Sequence, residues 1–329
     1  MNLIYLYFIA SIIAWPSVAG SNQATDRVVK PLEFRLITKS NRRDASKDSG
    51  TSNPCMSDRP GAMSGGWGPH LRGIMRAQDN NLWFAIDRGD EVYHNKAISY
   101  YKLHGNTWKL SGSNKLPSCV QQNVATVMVG NTVFSYGINV SKNRLEECYW
   151  YTQKNKGTCR PVMISGRVYN TPNNSNYIGA AVSRSKMKTV WWTKVGDDGA
   201  AGDFYYIYNY GSGWNGPVVT SLAPYNYISY IHSAFADNDH LEILGHMITG
   251  KYQSASRPGS DQERHKDYVL AAKLKIGSKL PINDILSTPD LGIQVWHEAD
   301  IWVDPTSKDV HALAMTNEGG SAYFFRPAA

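Results

Sequence analysis

The sequence reads as an all-β, five-bladed β-propeller, on three observations. A short unit recurs five times: an apolar strand, a turn rich in Asp, Asn, Ser or Lys, and a second strand heavy in Trp, Phe and Tyr. The copies open at His70 (HLRGIMRAQDNNLWFAI), Gln122 (QNVATVMVGNTVFSYGI), Tyr177 (YIGAAVSRSKMKTVWWT), His232 (HSAFADNDHLEILGHMI) and His297 (HEADIWVDPTSKDVHALAMT). Their spacing, about 50 to 65 residues, is that of propeller blades. Four copies are followed by two further strand-like runs, and no stretch holds a sustained helical period.

Taken in order, residues 1–20 (MNLIYLYFIASIIAWPSVAG) are an uncharged apolar run ending in small residues, and are expected to be a secretory signal peptide cleaved near Gly20 or Ser21. The run is too short to cross a bilayer comfortably, and no other segment could span one. The mature protein is therefore expected to be secreted, without a membrane span, and monomeric. Residues 21–66 form an N-terminal segment, polar except for Pro31–Thr38, which alternates as a strand. After His297 too few residues remain for four strands. The run Leu32–Ile37, within about 31–38, is therefore expected to supply the missing outer strand of the last blade, closing the ring and covering a sheet edge. The propeller itself is expected over 67–329 as one domain. A chain of 329 residues, 42% hydrophobic and 19% charged, is long and apolar enough to bury a real core.

Within the blades, the third and fourth strands are expected at Ala97–Leu103 and Thr107–Leu110, then at Cys148–Gln153 and Arg160–Ile164. They follow at Phe204–Tyr210 and Gly216–Thr220, and at Tyr268–Lys273 and Leu280–Ile285, with a last third strand at Ala322–Arg326. Large aromatics alternating with small residues, as in Leu82-Trp83-Phe84-Ala85, fit sheets packed on both faces, and Trp83, Trp191, Trp192 and Trp302 read as core. The polar run Thr249–Lys266 is expected to be a long loop between the second and third strands of blade four.

Four cysteines in an exported chain point to disulfides rather than to a metal or a nucleophile. Cys148 and Cys159 flank a hairpin-like run, which makes their pairing sterically reasonable and leaves Cys55 with Cys119. Asn139-Val140-Ser141 and Asn173-Asn174-Ser175 are glycosylation acceptors in a eukaryotic host. The formal charge of +7 fits an acidic partner, such as a uronate- or sulfate-bearing polysaccharide or an anionic cell surface, or serves solubility alone.

In a propeller the loop opening each innermost strand and the loop leaving the second strand emerge on one face, so the repeat predicts which residues meet. Strand openings supply His70, Gln122, Tyr177, His232 and His297, with Trp67, Tyr230 and Trp296 beside them. Second-strand exits supply Asp87 and Arg88, Lys194, and His246. Histidine suits proton transfer near neutral pH. Arg72 and Arg88 can grip a carboxylate or sulfate in bidentate fashion, or pair with Asp87 or Glu298 across blades.

These residues resemble the secreted, carbohydrate-active propellers of the sialidase-like and BNR-repeat type. The likeness lies in the blade pattern and in phrases such as HSAFADNDHLEILGH and HEADIWVDPTSKDVHALA, where a histidine enters the inner strand and an acidic turn follows. The Asp-box pattern Ser-x-Asp-x-Gly-x-Thr-Trp and an arginine triad are absent.

Three functions compete for such a face. A polysaccharide lyase needs a cation to neutralise a uronate carboxylate and His or Tyr for proton transfer. His70, His232, Tyr177 and Arg72 supply that catalytic set. Trp67, Arg88, Gln122, Lys194, Tyr230, His246, His297, Asp87 and Glu298 are then the substrate-binding residues. A glycoside hydrolase needs two carboxylates across the scissile bond, for which Asp87 and Glu298 are candidates. A lectin would tend to repeat one site in every blade, whereas these openings differ. The partner is expected to be an extracellular polysaccharide or glycoconjugate. No cofactor is called for: a zinc site from His70, His232 and His297 lacks a close-spaced ligand pair, and P-loop, nucleotide and nucleic-acid fingerprints are absent.

Overall fold

In a computed structural model of the chain, the described residues are 74–90, 94–117, 119–120, 124–173, 175–194, 201–225, 227–249, 266–282, 285–287, 295–304, 306–316 and 321–327. They form five blades in a ring, with strands and turns and no helix among them. All five blades fall in one compact unit, Arg42–Ala329.

Blade one comprises β1 (Met75–Arg76), β2 (Leu82–Asp90), β3 (His94–His104) and β4 (Thr107–Lys115). Blade two comprises β5 (Ala125–Val129), β6 (Thr132–Asn139), β7 (Arg144–Tyr151) and β8 (Lys156–Pro161). A small hairpin, β9 (Met163–Ile164) and β10 (Arg167–Val168), precedes blade three: β11 (Ser175–Val182), β12 (Lys188–Lys194), β13 (Asp203–Asn209) and β14 (Trp214–Ser221). Blade four holds β15 (Tyr227–Phe235), β16 (His240–Thr249), β17 (Lys266–Lys275) and β18 (Ile285–Ser287). Blade five holds β19 (Val295–Val303), β20 (Val310–Thr316) and β21 (Ser321–Arg326). Every blade is an antiparallel meander, and the inner strands β1, β5, β11, β15 and β19 pack in that order.

The sheets of blades two, three and four bury side chains on both faces, which is why their strands read as nearly continuous aromatic and apolar runs. Between blades one and two, Trp83, Tyr100, Val133 and Trp150 pack together, with Tyr100 and Trp150 stacked at 4.9 Å. Tyr136, Ile138 and Leu145 meet Ile178, Val190 and Trp192 between blades two and three. Trp191, Phe204 and Tyr206 meet Ile228, Leu241 and Leu270 between blades three and four. The contact of blades four and five is smaller, with Leu244, Ile301 and Ala312 at its centre. There an ion pair helps: Arg326 of β21 reaches buried Glu242 of β16.

Strand positions expected from the sequence hold in blades one, three and five and differ elsewhere. In blade two the run Arg160–Ile164 divides: β8 ends at Pro161, and Ile164 pairs in parallel with Trp214 at the outer edge of blade three. In blade four the outer strand is Ile285–Ser287 and not Leu280–Ile285, because Leu280 is buried in the core shared with blade three and its amide donates to Thr220 Oγ1 at 2.8 Å. Trp83, Trp191 and Trp192 are buried as expected, but Trp302 is 46% exposed. It stacks on His311 in a row with Phe325 on the face of blade five that does not meet blade four.

Cys148 and Cys159 are paired, as expected, directly across β7 and β8 with Cα atoms 4.0 Å apart. Cys119 is also disulfide-bonded, and its expected partner Cys55 lies outside the described residues. Asn139 is fully buried, its side chain accepting from Ser141 Oγ and the Lys142 amide, so in the folded protein it does not fit a glycan acceptor. Asn173 is exposed in a turn and does. The expected signal peptide, the ring-closing strand at 31–38 and the loop after Thr249 lie outside the described residues. No helix among the described residues is long and apolar enough to cross a membrane.

Candidate functional site

The antiparallel registers fix which ends of the strands share a face. In blade three, Ser175 at the start of β11 pairs with Lys194 at the end of β12, and Lys194 pairs in turn with Asp203 at the start of β13. Strand openings and second-strand exits therefore do emerge together, at the end opposite the first hairpin.

On that face the inner strands of blades three, four and five each break register. The shift falls between Asn176 and Gly179 in β11, between Ser229 and His232 in β15, and between Trp296 and Ala299 in β19. Counted from the first hairpin, the regular ladder holds for four pairs in blades three and four and five pairs in blade five. The three irregularities thus lie on neighbouring strands at nearly one height. A β-bulge bends the strand and re-aims its side chains, and such features collect beside active sites. Tyr177 within the first of them has φ of 50°, a left-handed conformation that costs a tyrosine backbone strain.

These registers revise the alignment read from the sequence. Tyr177, Tyr230 and His297 occupy equivalent bulge positions, because each follows the last regular pair before the shift. His232 is not a strand opening. It lies within β15 at the position equivalent to Gly179 and Ala299, paired with Leu244, and it is buried. The hairpin ladder sets this equivalence, and His232 is only a few residues from its hairpin, closer than Tyr177 or His297 are to theirs. Ser229 pairs with His246, so β15 and β16 bring Tyr230, His232 and His246 to one end of blade four.

The other expected site residues distribute as follows. Lys194, half-buried at the end of β12, stands on the shared face. Asp87 and Arg88 lie in the last pairs of the β2 ladder, opposite Ile98 and Ala97 and just before its end at Asp90; counted from the first hairpin, Asp87 stands where His246 stands in β16 and Arg88 where Lys194 stands in β12. Glu298 follows His297 inside the bulge of β19. Trp67, His70, Arg72 and Gln122 lie outside the described residues.

The acidic turns noted in the sequence serve the opposite face. In blades one, four and five the first hairpin carries an aspartate whose Oδ1 accepts the amide two residues on: Asp79 from Asn81 at 3.1 Å, Asp237 from Asp239 at 2.9 Å and Asp304 from Thr306 at 2.7 Å. These are Asx turns, a local reason for aspartate at each position. His240 Nδ1 lies 3.0 Å from each carboxylate oxygen of Asp237. Burial tends to raise the Asp237 pKa, but the Asp239 and His240 amides and side chains outweigh it and hold the group at about 2. Asp237, Asp239 and His240 bring three ligand-capable atoms within 4.8 Å of one another in a largely exposed cluster, in which Asp237 Oδ1 accepts the amides of its own turn.

Sequence reasoning missed a recess of ≈ 240 Å³ among these hairpins of blades three, four and five, walled by Phe235 and rimmed by Arg184, Asp237, Asn238, Asp304 and Lys308. Its available signal was the Asp turn shared by blades four and five, whose Asp237 and Asp304 stand at the rim, while the blade-three hairpin contributes Arg184.

No family model matches the chain, and no curated protein does. Among solved structures, the polysaccharide lyase Uly1 is similar with a TM-score of 0.48 and 10% identity, over 79% of this chain and 70% of that one. An α-L-arabinanase of Penicillium chrysogenum, complexed with arabinobiose, is similar with a TM-score of 0.49 and 9% identity, over 78% of this chain and 80% of that one. The GH32 β-fructofuranosidase BmSUC1 of Bombyx mori has a TM-score of 0.45 and 8% identity over 76% of this chain, which spans 58% of that one, less than two thirds of its length. Identities this low transfer no residue role.

Proposed function

We propose that this protein is a secreted polysaccharide lyase acting on an acidic, uronate-containing glycan, at the face where the bulged inner strands open. The observation that carries the reading is the run of three register breaks on β11, β15 and β19, which sets Tyr177, Tyr230 and His297 at equivalent places with His232 and His246 beside them. One uneven, proton-transferring pocket fits that arrangement better than repeated lectin sites. The paired cysteines fit an exported chain, and the charge of +7 fits a polyanionic substrate.

In the proposed reaction a base takes the C5 proton of a uronate residue. The released electron pair forms the C4–C5 double bond, the C4–O bond breaks, and an acid protonates the leaving oxygen. Tyr177 is assigned as the proton acceptor and a histidine of the neighbouring strands, His297 or His232, as the donor. Arg72 is assigned to the carboxylate, whose neutralisation acidifies the C5 proton.

Incubation with uronate polysaccharides should generate an unsaturated product that absorbs in the ultraviolet. Tyr177→Phe should lower that turnover by about 10²-fold or more. Release of reducing ends without the absorbance would replace this reading with hydrolysis by a carboxylate pair such as Asp87 and Glu298. Binding without any product would leave a lectin.

A further inference from the structure

The recess on the opposite face has the makings of a second binding site. Asn238 Oδ1 accepts the Ser185 amide at 3.2 Å, tying the hairpins of blades three and four together. Asp237 accepts amides from Asp239 and His240, and Asp304 accepts them from Thr306 and Ser307, so both carboxylates are fixed by backbone and held ionised. Arg184 and Lys308 bring two cations to the same rim, and Phe235 lends a partly buried apolar wall.

We propose that this recess is an anchoring site for a single acidic sugar residue. Its ≈ 240 Å³ suits one ring and not an extended chain, since pockets for larger ligands start near 300 Å³. A uronate ring matches the lining in three respects. Its carboxylate meets Arg184 and Lys308, its hydroxyls donate to the immobilised oxygens of Asp237 and Asp304, and the apolar edge of the ring lies against Phe235. The two faces of the propeller then hold one polymer at two places, so anchoring raises the local concentration of chain near the strand openings. The choice of an acidic sugar rests on the glycan reading of the main site.

The test uses the intact protein and the double variant Arg184→Ala/Lys308→Asn. Asparagine is chosen because Lys308 has φ of 67°, a conformation asparagine tolerates. Calorimetric titration with a short oligouronate should show binding that the double variant weakens by about tenfold or more and that Tyr177→Phe leaves intact. Turnover of short substrates should be the same in the double variant, while the KM for long polymer rises. Equal oligouronate binding in the double variant and the parent protein overturns the anchoring site, and the lyase reading then stands or falls on its own product assay. Binding that depends on Arg184 and Lys308 in a protein with no turnover upholds the anchor and removes the lyase.

Discussion

Glu147 of β7 is almost fully buried, yet two cations and a phenol reach it. Tyr136 donates at 3.1 Å, Arg160 at 2.9 Å and Lys188 of the next blade at 3.2 Å. Lys188 also sits over the ring of Phe134, 3.7 Å from its centroid. Burial pulls the Lys188 pKa down while Glu147 pushes it back, so the pair must be desolvated together. Removing one partner of such a buried pair strands the other. Glu147→Gln should cost about 3 kcal/mol in urea unfolding, and adding Lys188→Met should recover part of the loss. No recovery would mean that Arg160 and not Lys188 is the partner left uncompensated. At Asp237 the folded pKa of about 2 lies below the ordinary 3.8. A depressed carboxylate contributes stability that is complete above its unfolded pKa and is lost as pH falls through the folded one. Acid unfolding should therefore show a contribution lost between 3.8 and about 2 that is absent in Asp237→Asn.

At the scale of the element, the bulged inner strand is the unit that matters. The break in β11 lets Gly179 sit directly against Trp191: a Cβ added there would lie 2.4 Å from the indole ring. Trp191 is buried in the core shared by blades three and four and cannot easily yield. Gly179→Ala should therefore destabilise by about 1–3 kcal/mol, the range for overpacking a filled core, and should lower turnover through displacement of Tyr177. Thermal unfolding and the uronate assay check the two effects. Full stability with normal turnover would mean that the strand has room to shift. In blade four the equivalent position holds His232, opposite Leu244 instead of tryptophan. One backbone device therefore accepts glycine in one blade and a buried imidazole in the next because the cross-strand partner changes size.

For the whole molecule, the formal charge of +7 is the long-range term. If long acidic chains are drawn to it by this field, association must weaken as salt shortens the Debye length from about 30 Å at 0.01 M to about 3 Å at 1 M. The value of kcat/KM on polymeric uronate should fall over that range, while that for a neutral glycan should not. A flat salt profile would assign the basic charge to solubility. The inter-blade contacts point the same way for stability: aromatic packing joins blades one to four, and the smaller contact of blades four and five adds the Arg326–Glu242 pair.

Blade number and most strand positions were legible in the sequence because a strand's aromatic alternation and its turn residues are local properties of the chain. The cross-strand cysteines were legible for the same reason, since a hairpin sets their register. Equivalence between blades was not. Aligning copies by their first polar residue put His232 with Tyr177, but a bulge adds residues that no hydrophobic pattern marks, and only the ladder counted from the hairpin matches Tyr177 with Tyr230 and His297. Nor could the sequence foresee that Trp302 would be exposed or that Asn139 would be buried, since both depend on which neighbouring segment covers a face. The sequence by itself determined a five-bladed sheet protein with polar groups at its strand openings. Register and blade-to-blade packing, which are set by non-local contacts, decided which of those groups stand at equivalent places on neighbouring strands, and they placed Asp237 and Asp304 of two acidic turns at the rim of a recess on the other face.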